Sequence, residues 1–206
     1  MLGPRLAMVI AAGMLAIGVA GPACADPILE FTGAGIAGGT FSGDVSVGWS
    51  FTTNQAVTVV ALDAFDPTGD GAVRLYDGSG NVLASATVTN SDPQEGSPIL
   101  FYSQAISPVS LADGTTYFIA QDISANSTQV EAQVTGLTTA PAITYVGGVA
   151  VTGLGGTPTG DAGGGFFSPG YFGPNFDVAA VPEPSTLVLL AAGLGGLGVL
   201  RRKRAR

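Results

Sequence analysis

Between Asp26 and Ala180 apolar residues recur at every second position over short stretches, and no stretch sustains the 3.6-residue spacing of an amphipathic helix. Strands are therefore expected throughout. Val45, Val47, Trp49 and Phe51 alternate with Ser46, Gly48, Ser50 and Thr52, giving one large apolar face and one small, mostly polar one. This pattern predicts Trp49 in the core. A second strand is read over Gln55 to Phe65. Ala72 to Tyr76 joins Asn81 to Thr89 through Asp77-Gly78-Ser79-Gly80, a hairpin signal. Further strands are expected at Ile99 to Ala105, Thr116 to Gln121, Thr128 to Val134, Ala142 to Val146 and Phe176 to Val178, with Asp113-Gly114 as another turn. Roughly eight short strands predict an all-β fold: a single, jelly-roll-like β-sandwich in which each of two sheets buries one face. The Gly-rich stretch from Gly147 to Gly173 is read as a long surface loop or irregular edge, with Phe166, Phe167, Tyr171 and Phe172 folded back as plugs or, alternatively, forming a ligand-facing aromatic lip.

The flanks follow different rules. Met1 to Arg5 is a short basic opening, Leu6 to Ala20 is an apolar run, and Gly21-Pro22 breaks it. Ala23 and Ala25 place small residues at the −3 and −1 positions, so signal peptidase is expected to cut between Ala25 and Asp26. The run is short of the ~20 residues of a spanning helix, which argues against an uncleaved anchor. Gly21 argues against lipidation of Cys24. At the other end, Val181, Pro182, Glu183 and Pro184 precede the apolar run Leu187 to Leu200, and Arg201, Arg202, Lys203, Arg204 and Arg206 follow. The prolines hold an extended segment, the apolar run partitions into the bilayer, and the basic cluster stays cytoplasmic. Residues 1–25 thus read as a signal helix, 26–180 as the sandwich domain, and 181–206 as a tail with a short, glycine-bearing transmembrane helix.

The order of Pro-Glu-Pro, apolar helix and terminal Arg/Lys cluster resembles the PEP-CTERM sorting domain of Gram-negative bacteria. The resemblance implies recognition by an exosortase, a membrane cysteine protease-transpeptidase acting near Pro182-Glu183-Pro184. It also implies an exported protein whose precursor is anchored transiently in the inner membrane and whose mature form is on the cell surface or extracellular. More loosely, Gly48-Trp49-Ser50-Phe51, Asp66 to Gly71, Leu75-Tyr76-Asp77 to Ala86 and Gly114-Thr115-Thr116-Tyr117 resemble a β-sandwich domain of undefined function found in many PEP-CTERM proteins.

Charge and composition narrow the chemistry. Fourteen of the fifteen acidic residues lie between Asp26 and Ala180, against one base, Arg74, for a net charge of −13 over that span. Such a surface repels phosphate backbones, so nucleic acid is not an expected partner. The chain has no His, and its one Cys, Cys24, falls in the signal segment. Ser-His-Asp and Cys-His catalysis, a zinc site of the usual kind and a disulfide are excluded from the mature domain. Asp66-Pro67-Thr68-Gly69-Asp70-Gly71 followed by Asp77 sets oxygen donors at loop positions 1, 3, 5 and 12 with Gly at 6, which echoes a calcium loop. Arg74 at position 9, Asp at position 12 and flanking strands exclude an EF-hand. The alternatives are a calcium site of another geometry at Asp66, Thr68, Asp70 and Asp77, with Asp63 able to contribute, or a solvated loop.

These features predict a non-enzymatic surface or extracellular-matrix protein, with extracellular polysaccharide as a candidate partner. A carbohydrate-binding module is the alternative, and it needs exposed aromatic platforms at Tyr76, Tyr102, Tyr117 or Tyr171. A small glycan hydrolase would need two carboxylates facing each other across a cleft.

Overall fold

The computed structural model describes residues 27–33, 36–37, 41–65, 72–96, 99–125, 131–132, 134–158 and 170–179. The signal and C-terminal helices expected from the sequence lie outside them. All regular structure among the described residues is β: β1 (Leu29–Glu30), β2 (Ile36–Ala37), β3 (Val45–Thr53), β4 (Val57–Ala64), β5 (Ala72–Asp77), β6 (Val82–Thr87), β7 (Gln94–Glu95), β8 (Phe101–Leu111), β9 (Thr116–Ile123), β10 (Glu131–Ala132), β11 (Thr138–Thr139), β12 (Ile143–Thr152), β13 (Tyr171–Phe172) and β14 (Pro174–Val178). None of the described residues forms a helix long and apolar enough to cross a membrane.

Two sheets carry the fold. One has the strand order β12-β3-β9-β5-β6, the other β14-β4-β8-β7, and every pairing is antiparallel. Smaller pairings, β1 with β11 and β13-β10-β2, complete the set. The alternation in β3 turns Trp49 and Phe51 towards the opposite sheet, where Phe176 of β14 lies with ring centroids 5.8 and 4.9 Å away. Leu62, Val73, Leu75, Phe101 and Ile119 join this cluster from both sheets, which makes the domain a β-sandwich with one principal core.

Local chemistry explains the ends of the long strands. The β5–β6 hairpin turns at Gly78 to Gly80, and Gly80 takes a φ of 85° that an L side chain resists. The Asp77 N–H donates to the Asn81 carbonyl at 2.9 Å and closes the turn. Gly114, also left-handed at 65°, donates to the Thr53 carbonyl at 2.9 Å and so links the β8–β9 turn to β3.

The structure differs from the sequence reading in several places. Tyr171 and Phe172, expected as loop plugs, form β13, and the strand expected at Ile99 to Ala105 runs on to Leu111. Phe166 and Phe167 lie outside the described residues. Residues 147–152, expected in a loop, extend β12 along β3 after a register shift between Tyr145 and Gly147. Of the strand expected over Thr128 to Val134, the described residues show β10 and a non-strand Val134, and 128–130 and 133 lie outside them. Finally, the small face of β3 is covered as well: Ser46 is buried, and its hydroxyl donates to Asp122 Oδ1 at 2.6 Å.

Candidate metal centre

In β4 the core positions begin as Val57 and Val59 and resume as Leu62 and Ala64. Pairing with both neighbouring strands shifts between Val59 and Ala61, and this irregularity changes the phase of the alternation. Without it Asp63 would share a face with Val57 and Val59. With it Asp63 points away from the principal core, opposite Asn175 of β14 and Ser103 of β8. On β14 the sequence Asn175-Phe176-Asp177 places Phe176 in the core and Asp177 on Asp63's side of the sheet. The short β7 pairs Glu95 with Phe101 and brings a third acid alongside.

Carboxylate oxygens of Asp63, Glu95 and Asp177 lie within 4.8 Å of one another. Asp63 is wholly buried, Asp177 is 4% exposed, and Glu95 is half-buried. The Ser103 hydroxyl donates to Asp177 Oδ2 at 3.3 Å. Both oxygens of Asp63 and Oδ1 of Asp177 are buried with no hydrogen-bond partner. Burial pushes the Asp63 carboxyl up to about 7, with the neighbouring Ser103 hydroxyl opposing and the Glu95 charge adding. Asp177 rises to about 9 through burial first, then repulsion from Asp63 and contact with Glu95. Three crowded acids with an adjacent hydroxyl form an all-oxygen donor set, which suits hard cations.

Of the metal and processing candidates named from the sequence, only Asp77 and the optional Asp63 fall among the described residues. Asp66, Thr68 and Asp70 lie outside the described residues, as do Ala23, Ala25 and Asp26, residues 181–184 and the basic residues from Arg201 onward. Asp77 caps its hairpin: Oδ1 accepts the N–H groups of Ser79 and Asn81, and Oδ2 accepts Asn81 Nδ2, each at 2.9 Å. These donors hold its carboxyl below the ordinary aspartate value. Asp63, attached in the sequence reading to the loop that follows it, is grouped by the structure with Glu95 and Asp177. Neither of those was singled out. A signal was available, because Asp63 sits between Leu62 and Ala64 and Asp177 between Phe176 and Val178, where turn formation cannot explain an aspartate.

The other polar cluster involves Arg74. Its guanidinium donates to Asp122 Oδ2, while Asp122 Oδ1 accepts the Gly155 N–H at 2.9 Å as well as the Ser46 hydroxyl. Of the tyrosines, Tyr76, Tyr117 and Tyr171 are buried, and Tyr102 is half-buried against the core. A shallow groove between β6 and β8, lined by residues such as Leu83, Ala86, Ile106 and Val109, contains no acidic residue.

Residues 180–204 match the PEP-CTERM protein-sorting motif. No curated protein and no solved structure matches the chain. The motif implies an exported, membrane-anchored precursor with an exosortase as its processing partner.

Proposed function

We propose that the sandwich is a non-enzymatic cargo, carried to the cell surface or extracellular polysaccharide matrix by its C-terminal motif. In this reading signal peptidase releases the chain between Ala25 and Asp26, the apolar run Leu187 to Leu200 holds it in the inner membrane, and an exosortase acts near Pro182-Glu183-Pro184. The match of residues 180–204 to the sorting motif carries the proposal. The position of the motif supports it: the last described strand, β14, ends at Val178, so only Ala179 separates the folded domain from the motif.

The non-enzymatic part draws support from the carboxylate cluster. A glycan hydrolase needs its acids open to a polymer, whereas Asp63 and Asp177 are enclosed. Burial of Tyr76, Tyr117 and Tyr171 likewise weighs against sugar stacking on those rings.

Replacing Pro182-Glu183-Pro184 with three alanines tests the sorting reading. Unprocessed precursor is expected to accumulate in the membrane fraction. Processing at the normal rate would count against an exosortase.

A further inference from the structure

Asp63 poses a problem of charge. Its side chain is fully buried, neither oxygen has a hydrogen-bond partner, and it faces two further acids within 4.8 Å. A buried anion of this kind needs a counter-charge. The chain between Asp26 and Ala180 has one base, Arg74, and that base is committed to Asp122. The compensating charge must come from solution, as protons held on the acids or as a bound cation that displaces them.

We propose that Asp63, Glu95 and Asp177, with the Ser103 hydroxyl beside them, bind a calcium ion that ties β4, β7 and β14 together. The donors are all hard oxygens, with no imidazole or thiolate to favour zinc or copper. Calcium–oxygen bonds of about 2.4 Å put ligands on opposite sides of the ion about 4.8 Å apart, so three oxygens inside that limit can share one ion. Magnesium keeps its water shell more tightly and demands octahedral geometry, which a crowded, enclosed set of acids serves poorly. Three ionised carboxylates against two positive charges leave a residual negative charge near one, far less than the fully ionised cluster would carry without the ion. Strand β7 is only two residues long, and β14 is the edge of its sheet, so both gain most from a cross-link. The ligands of this site differ from the Asp66, Thr68, Asp70 and Asp77 set, to which Asp63 was an optional addition, and the site stands independently of the sorting proposal.

The test uses the full-length chain in mild detergent, melted in EGTA or in about 5 mM calcium chloride, with Trp49 fluorescence as the probe. An extracellular-type affinity of roughly 0.1–1 mM predicts a rise in melting temperature of about 3–8 °C with calcium, and a smaller rise with equal magnesium. Asp63→Asn, Asp177→Asn and Glu95→Gln should each abolish the rise. In EGTA, at a pH where the acids have lost their protons, the two asparagine variants should melt no lower than the parent, because each then removes an uncompensated charge. Asp66→Asn and Asp70→Asn should keep the rise. Titration calorimetry with calcium chloride should count one ion per chain in the parent and none in Glu95→Gln, which changes the least buried of the three acids. Identical melts of the parent in calcium and EGTA would overturn the proposal. So would a rise that survives all three cluster variants or is lost in Asp66→Asn or Asp70→Asn.

Discussion

Trp49 Nε1 donates to the carbonyl of Pro174 at 2.7 Å, from the middle of β3 to the start of β14 on the opposing sheet. The bond satisfies a buried donor and joins the two layers beside the stacked rings of Trp49 and Phe176. Trp49→Phe keeps much of the apolar volume but leaves the Pro174 carbonyl without this donor. A loss of about 1–3 kcal/mol in urea unfolding followed by circular dichroism is expected.

Gly48 is fixed by its neighbour. A Cβ there would stand 1.9 Å from the Ile119 carbonyl oxygen, on a strand backbone that cannot give way cheaply. Gly48→Ala should cost about 1–3 kcal/mol or more, with a lower denaturation midpoint. Gly147 has nothing within 4 Å of its Cβ direction, so Gly147→Ala should stay within about 0.5 kcal/mol of the parent.

Arg74 and Asp122 should be energetically coupled. Arg74→Met leaves Asp122, 5% exposed at its side chain, with the Ser46 and Gly155 donors alone. Because the Arg74 side chain is 23% exposed, the cost should fall below that of a fully buried pair, at about 1–3 kcal/mol. A double-mutant cycle with Asp122→Asn should return a coupling of about 0.5–3 kcal/mol, and strict additivity would show that the pair contributes nothing.

In chelator, stability should fall as pH rises. Asp63 at about 7 and Asp177 at about 9 both hold their protons more tightly in the folded chain than at the ordinary value of 3.8. The folded state therefore binds more protons than the unfolded one above 3.8, and the slope of stability against pH is negative. Their contribution is complete below 3.8 and is lost as pH climbs through about 7 for Asp63 and about 9 for Asp177. Urea midpoints across that range should decline for the parent and flatten in the Asp63→Asn, Asp177→Asn double variant.

Much of the sandwich was legible because its signals are local. The alternation from Val45 to Phe51 and the Asp77-Gly78-Ser79-Gly80 turn each act within a few residues, and both appear as read. The extension of β12 was hidden because Gly147, Gly148 and Val149 carry loop-like composition, and their strand conformation comes from pairing with Ser50, Trp49 and Gly48 of β3. The acid cluster was hidden for a similar reason. Asp63, Glu95 and Asp177 are far apart in the chain, and Asp63's direction depends on a register shift that periodicity alone cannot place.

The position of β14 sets an order of events. It supplies Phe176 to the core and the Pro174 carbonyl to Trp49, yet it is the last strand described. A chain leaving the cytoplasm N-terminus first delivers β3 and β4 long before the strand that seals them. In that order the sorting motif at residues 180–204 follows Val178 almost directly. Under the sorting proposal, a tail held at the membrane would keep the emerging chain there while the edge of β4 still lacks its partner β14.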